Sequence, residues 1–296
     1  YIALAFDPVA VGWPLAIACR MRGKPFVVRV EGDALWERYV GRTGEELTLR
    51  QFYEQLAHLR LSRPERAWRR MSQRVFPHAK RIVCSSRWRE EIFHIGSPLR
   101  PEQSALIASP YPQPERGSVK RDRTFVFAGR FVRVKNIPRL IRAFLAAAPA
   151  DFRLELIGDG PEREYLEAGI KNQGLERRVV IRPPLEPGEL RARIASAHAF
   201  VLPSLSDVSP NVILDCIAAG TPFLLTRETG FYETLKDVGL FVDPLDEDDI
   251  AAKLRLLLDA ESYAAYRARL ARFSNVRTWE EVADEWLALL RDATSF

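Results

Sequence analysis

Cysteine, histidine and methionine are scarce: 296 residues hold three Cys, four His and two Met. Cys19, Cys84 and Cys216 sit in apolar surroundings without the short spacing of a metal-binding pair, so neither a disulfide framework nor a zinc centre is expected. The scattered histidines leave little from which to build a metal site. No apolar run approaches the ~20 residues that span a bilayer. Neither a G-x-G-x-x-G fingerprint nor a G-x-x-x-x-G-K-[ST] loop occurs, and no Ser-His-Asp grouping is visible. A reducing cytoplasm suits the three thiols. Nothing resembles a signal peptide. Tyr1-Ile2-Ala3-Leu4-Ala5-Phe6 opens inside an apolar run, so an N-terminally incomplete chain is expected.

What is present is an ordinary globular composition, 47% hydrophobic and 28% charged, over a length that suits two domains. The net charge of +5 is unevenly placed. Residues 1–117 carry 19 Lys and Arg against 12 Asp and Glu, and the remainder 25 against 27. The excess concentrates between Arg60 and Arg89, with Trp68, Phe76 and Trp88 interspersed. Such a run is either a solvated helix face or a surface that attracts an anionic membrane or an anionic acceptor. No nucleic-acid-binding motif accompanies it, so nucleic acid is not expected as a partner.

Residues 1–9 read as a strand, 13–22 as a helix and 24–30 as a strand that ends in the turn Glu31-Gly32-Asp33. That is a βαβ unit, which implies a parallel sheet. Ligands gather at the carboxyl ends of such strands, so Glu31 and Asp33 are candidate site residues, the alternative being a solvated turn. Residues 34–77 read as mainly helical. Short strands follow over 81–86 and 106–108, and Ser85-Ser86 caps a helix over 87–94. The Pro-rich stretch 110–118 has a linker's composition. It divides the chain into a first domain, 1–117, and a second, 118–275.

In the second domain, strands over 124–128, 153–157, 179–181, 199–202, 221–226 and 240–242 alternate with helices. These open at Asn136 and at Pro161 and run over 189–196, 246–258 and 262–273. Such alternation specifies an α/β protein with doubly wound parallel sheets. The segment 276–296 holds a last amphipathic helix, 279–290, expected to pack back on the first domain.

The most informative stretch is 203–220. The strand 199–202 stops at Pro203, and a polar loop leads to a helix with Ser209 as N-cap, Pro210 in its first turn and Gly220 at its end. Unpaired N–H groups and the positive end of the helix dipole make a site for an anion such as a pyrophosphate. Asp207 lies in the loop and Asp215 about a turn and a half into the helix. Carboxylates there suit neutral hydroxyls, as on sugars, rather than phosphate. Gly129-Arg130 ends the second domain's first strand, and Lys135 follows within five residues. Two cations then lie over the sheet edge where an anionic ligand would sit, with Arg133 in the same loop.

These residues, in their order, resemble a known family. Ala128-Gly129-Arg130-Phe131…Lys135-Asn136, Leu156-Ile157-Gly158-Asp159-Gly160-Pro161-Glu162 and Leu202-Pro203-Ser204…Asp207…Asn211…Asp215…Ala219-Gly220-Thr221-Pro222 carry the resemblance. Gly230…Glu233 and Gly239-Leu240-Phe241-Val242-Asp243-Pro244 complete it. The chain is similar to the retaining glycosyltransferases of the GT-B fold, family 4, also called glycosyl transferases group 1. The resemblance covers about residues 124–245, and more loosely the first forty.

It implies two Rossmann-like domains facing a cleft, the first of them truncated, with closure about the linker near Gly117. It implies a nucleotide-diphospho-sugar donor, UDP- or GDP-linked, and a glycan or lipid-linked acceptor, with no cofactor and no metal. Arg130 and Lys135 would bind the diphosphate and stabilise its departure. Asp207 would meet donor-sugar hydroxyls and Asp215 the ribose. Gly129, Gly160 and the backbone of Ser209, Asn211 and Val212, around Pro210, would hold sugar and phosphate.

Two departures stand out. The family's usual E-x7-E acids are both Asp here, and Glu31 stands where a His is frequent. A subgroup carries Gly-Asp followed by Trp-Glu, as in Gly32-Asp33-Ala34-Leu35-Trp36-Glu37. The expected setting is polysaccharide or glycolipid synthesis, in the cytoplasm or peripheral on the inner membrane face. The alternative is a catalytically weak sugar-nucleotide-binding partner or scaffold.

Overall fold

Short Val-, Ile- and Phe-rich strands separated by helices build two parallel sheets, and each sheet organises one unit. The computed structural model describes residues 1–97, 100–114 and 120–294. The first unit comprises Tyr1–Pro110 and Arg277–Phe296, the second Tyr111–Val276. Part of the predicted linker, including Gly117, lies outside the described residues. The division falls between Pro110 and Tyr111 because Tyr111 packs into the second core, its ring 5.3 Å from Phe231 and 6.1 Å from Phe273.

Unit one runs β1 (Ala3–Ala5), α1 (Gly12–Arg22), β2 (Phe26–Val30), α2 (Ala34–Thr43), α3 (Leu49–Gln55), α4 (Arg63–Val75), β3 (Arg81–Cys84), α5 (Arg87–Gly96) and β4 (Ser104–Leu106). Its four strands are parallel and lie in sequence order, β1-β2-β3-β4. The first strand is shorter than 1–9. Asp7 turns the chain, its carboxylate accepting from the amides of Val9 and Ala10 at 2.6 Å each. Alternate residues point to opposite faces. Val28 and Ile82 bury against Ala16, Cys19, Val75 and Phe93 on one face, and Val27 and Val83 against Val282 and Ala293 on the other. A parallel sheet needs cover on both faces. The second cover is the C-terminal helix, which belongs to this unit for that reason.

Unit two runs β5 (Thr124–Ala128), α6 (Ile137–Ala147), β6 (Arg153–Ile157), α7 (Arg163–Asn172), β7 (Val179–Arg182), α8 (Pro187–Ser196), β8 (Ala199–Leu202), α9 (Val212–Ala218), β9 (Phe223–Thr226), α10 (Tyr232–Leu235), β10 (Leu240–Val242), α11 (Glu247–Leu258) and α12 (Ala260–Ala271). α13 (Trp279–Thr294) then returns to unit one. The six parallel strands are ordered β10-β9-β8-β5-β6-β7. The chain therefore winds outward from β5 through β6 and β7, returns, and winds the other way from β8. Phe125, Phe127, Phe131, Phe144, Phe200 and Phe223 are all essentially inaccessible in its core. Truncating one such ring to Ala costs about 3–5 kcal/mol.

Cys19, Cys84 and Cys216 are buried free thiols, and burial pushes the Cys84 pKa up to about 12. Among the described residues, no helix is long and apolar enough to cross a membrane.

Two elements start elsewhere than expected. Pro161 lies in the turn before α7, which begins at Arg163. Asn136 precedes α6 in the left-handed region, φ 58°, without capping it through its side chain. The 158–160 turn is where two loops meet backbone to backbone. A Cβ on Gly158 (φ 152°) would fall 1.9 Å from the Gly129 carbonyl oxygen, and one on Gly160 2.5 Å from that of Phe131. Gly158→Ala should therefore destabilise unit two by roughly 3 kcal/mol or more, the scale of core overpacking. Gly169→Ala, within α7 and facing open space, should instead stabilise by about 0.5–1 kcal/mol. Denaturant unfolding of both variants checks the pair; equal effects would refute the close-approach reading.

Candidate functional site

β5 and β8 are adjacent strands from which the chain leaves in opposite directions. Crevices of this kind, at the carboxyl ends of such strands, are where open α/β sheets bind ligands. Gly129 and Arg130 follow β5, and a 3-10 turn at Arg133–Lys135 comes next. Pro203, Ser204 and Asp207 follow β8. The Leu205 amide donates to the Val134 carbonyl at 2.8 Å, and Asn136 Nδ2 donates to the Pro203 carbonyl at 3.0 Å. The two loops are thus stitched side by side. Lys135 Nζ then meets Asp207 Oδ2 at 2.5 Å, and Ser204 Oγ donates to the same oxygen at 3.2 Å.

The three cations of the first loop have three different environments. Lys135 is held by Asp207. Arg133 Nε pairs with Glu162 Oε1 at 2.9 Å, which ties it to the 158–162 turn. Arg130 is exposed. Burial pushes the Glu162 carboxyl pKa up, and the Arg133 charge opposes the shift. The 203–211 loop is braced from behind as well: the Asp207 amide donates to Glu228 O at 2.9 Å, and the Gly230 amide to Val208 O at 3.1 Å.

The helix after this loop begins later than the sequence suggests. α9 starts at Val212, with Asn211 before it in helical conformation and without a side-chain cap. Ser209 is therefore not the cap, and Pro210 and Asn211 precede the helix. The Ile213 and Leu214 amides donate to the Pro210 and Asn211 carbonyls at 2.9 Å each. Those two amides are taken by the chain itself. Asp215 falls in the first turn of α9, not a turn and a half in. Burial pushes its carboxyl pKa up, opposed by the charge of Arg191. Gly220, with φ 58°, ends the segment as expected.

In unit one a cavity of about 320 Å³ opens at the carboxyl end of β2, lined among others by Glu31, Asp33, Tyr53, Trp68, Arg69 and Arg89. Asp33 caps α2 by accepting from the Trp36 amide at 3.0 Å. Its other oxygen accepts from Tyr53 Oη at 2.6 Å and Arg89 Nη2 at 3.1 Å. Both oxygens are engaged, so Asp33 positions its neighbours. Glu31 holds Arg29 at 2.7 Å. Burial, with the Asp33 charge second, pushes the Tyr53 hydroxyl pKa well up. The basic run divides. Arg63, Arg66, Arg70 and Arg74 are exposed at helical spacing along α4, while Arg89 is buried and Arg81 pairs with Asp292 at 2.5 Å.

Sequence reasoning gave no role to Tyr53, had Ser204 only as part of a motif, and put Arg89 at the end of the basic run rather than in a cavity wall. A buried Arg at the third position of a helix carries no signal until its partner on another element is known. Among the described residues, no group of His, Cys, Asp and Glu could hold a metal ion.

A family model, glycosyl transferases group 1, matches residues 113–274. The chain belongs to this family. The match spans the site of unit two, from Gly129 to Asp215. Among curated relatives, an uncharacterized glycosyltransferase of Methanocaldococcus jannaschii is 28% identical over 169 residues, covering 55% of this chain and 43% of its own. The D-inositol 3-phosphate glycosyltransferase of Acidothermus cellulolyticus is 31% identical over 186 residues, 57% of this chain and 40% of its own. The chain thus spans less than half the length of these two relatives. Among solved structures, Anabaena HepE, in complex with UDP and glucose, superposes with a TM-score of 0.76 at 17% identity, covering 98% of this chain and 78% of HepE. The two parallel α/β units are those of GT-B glycosyltransferases.

The raised Asp215 pKa has a stability consequence. An acid whose folded pKa is raised favours folding below its ordinary pKa, and that contribution disappears as pH rises through the folded value. At neutral pH the buried charge is therefore a net cost. Asp215→Asn should be more stable than the native chain at pH 7, and the difference should vanish below about pH 4, where Asp is protonated in both states. Unfolding curves at pH 7 and 3.5 check this; an Asn variant less stable at pH 7 would contradict it.

Proposed function

We propose that the chain is a retaining, metal-independent hexosyltransferase. In this reading unit two binds a nucleotide-diphospho-sugar, UDP-linked by preference, and unit one supplies the acceptor site, for polysaccharide or glycolipid assembly. The observation that carries the reading is the Lys135–Asp207 pair at 2.5 Å across the point where β5 and β8 diverge. A cation for a diphosphate and a carboxylate for sugar hydroxyls are both needed at the broken bond, and here they touch. UDP and glucose bound to HepE support the choice of donor.

As the bond from the anomeric carbon to the diphosphate oxygen breaks, negative charge grows on the phosphate. Arg130 and Lys135 lie on the loop that would meet it and would stabilise that charge, the task a metal performs elsewhere. The acceptor oxygen bonds to the same face of the anomeric carbon, and its proton passes to the departing phosphate, so no separate carboxylate base is required. Asp207 orients Lys135 and accepts from a donor-sugar hydroxyl; Asp215 is assigned to the ribose.

The exposed Arg stripe of α4 is assigned to an anionic membrane surface, with the chain peripheral on the cytoplasmic face.

Arg130→Ala and Lys135→Ala should each lower turnover by roughly 10²–10³, the effect of losing one charge-stabilising donor. Calorimetric titration of UDP, GDP and ADP in EDTA tests the binding step. UDP should bind and weaken in Arg130→Ala. Near-normal transfer by both variants would remove the leaving-group role, and absence of nucleotide binding would remove the donor site.

A further inference from the structure

We propose that the cavity of unit one recognises an oxyanion, a carboxylate or a phosphate carried on a sugar acceptor, through Arg89 and Arg69. The assignment to an acceptor rests on the function proposed above; the anion preference rests on the cavity itself.

Arg89 is 1% exposed and lines the cavity. Its guanidinium is satisfied in two directions, Nε to the Glu31 carbonyl and Nη2 to Asp33 Oδ2, both at 3.1 Å. Nη1 is shut off from solvent and has no hydrogen-bond partner among the described residues. Arg69 also lines the cavity, and its Nε is in the same condition. Buried arginine N–H groups without an acceptor are rare and destabilising, so two on one cavity wall require an explanation. Asp33 does not reach these two groups: its oxygens accept from Trp36, Tyr53 and Arg89 Nη2. Glu31 is held by Arg29, and the Asp7 carboxylate by two backbone amides.

A ligand in the cavity that brings acceptor oxygens would supply the missing partner. A planar or tetrahedral oxyanion matches the fork of a guanidinium and gives charge-assisted bonds, whereas a single hydroxyl does not. Trp68 and Phe93 also line the cavity and give it apolar wall for the carbon skeleton of a sugar. The geometry points to a uronic acid or a sugar phosphate.

The test is titration of the full chain with methyl glucuronide, glucose 6-phosphate and neutral methyl glucoside, with UDP binding measured on the same samples. One acidic sugar should bind at least about tenfold more tightly than methyl glucoside, the value of one hydrogen bond to a charged group. The preferred sugar identifies carboxylate or phosphate. Arg69→Gln, at a half-buried position, should lower that preference about tenfold while leaving UDP binding and the melting temperature unchanged. Arg89→Lys, which keeps a cation for Asp33 but loses Nη1 and the Nε bond to the Glu31 carbonyl, should lower the preference likewise and also lower the melting temperature. Equal binding of all three sugars, or variants that keep the preference, would overturn the proposal even with UDP binding intact. Failure of the native chain to bind UDP would instead count against the donor reading of unit two.

Discussion

Asn136 sits 4% exposed in the left-handed region, and its Nδ2 donates to the carbonyls of Pro203 at 3.0 Å and Pro244 at 2.7 Å. Three chain segments meet at that one amide: the turn after β5, the loop after β8 and the loop after β10. Asn is among the few residues other than Gly that tolerate this backbone conformation. Arg139 completes the tie, donating to Asn136 Oδ1 at 3.1 Å and to the Pro244 carbonyl at 2.8 Å. Carbonyls left unpaired at such buried strand ends would cost about 1–3 kcal/mol each. Together with the Leu205–Val134 backbone bond and the Asp207 amide's bond to Glu228 O, this tie sets the distance from Lys135 to Asp207.

The exposure of that pair bears on the role proposed for its lysine. Exposed pairs contribute about 0–1 kcal/mol, and deeply buried ones are held too tightly to exchange partners readily. At 18% and 13% side-chain exposure, Lys135 and Asp207 lie between these limits. In the proposed function a diphosphate would compete for the ammonium while a sugar hydroxyl takes the carboxylate. Arg133 is paired with Glu162, and the proposed function assigns the diphosphate to Lys135 and Arg130.

The alternation of apolar strands with amphipathic helices made the doubly wound α/β fold legible, and the motif order made the family legible, because both are local patterns. What was not legible depends on tertiary partners. Ser209 and Pro210 have the composition of a helix start, yet the 3-10 bonds from Ile213 and Leu214 move that start to Val212. Asn136 reads as a cap, and its side chain instead reaches two loops distant in sequence. Asp33 reads as a ligand contact, and the structure makes it the N-cap of α2 and the partner of Arg89. Polar residues at strand ends serve either a ligand or the backbone, and spacing alone does not separate the two.

Asp33–Arg89 and Asp207–Lys135 are versions of one device, an acid near the carboxyl end of a parallel strand holding a cation. They differ in what else the acid does. Asp33 accepts from an amide, a phenol and a guanidinium, and the pair is 6% and 2% exposed, so its geometry is fixed. Fixed charge suits recognition: the guanidinium's orientation is set before a ligand arrives, and little ordering entropy remains to be lost. Asp207 has a cation and one hydroxyl on the same oxygen, with both side chains partly open to solvent. An exchangeable charge suits a step in which negative charge appears and leaves. Each unit thus holds an acid–cation pair beyond the carboxyl end of a parallel strand, one rigid and one more exposed, and the proposed function would use the first for an acceptor and the second for a departing diphosphate.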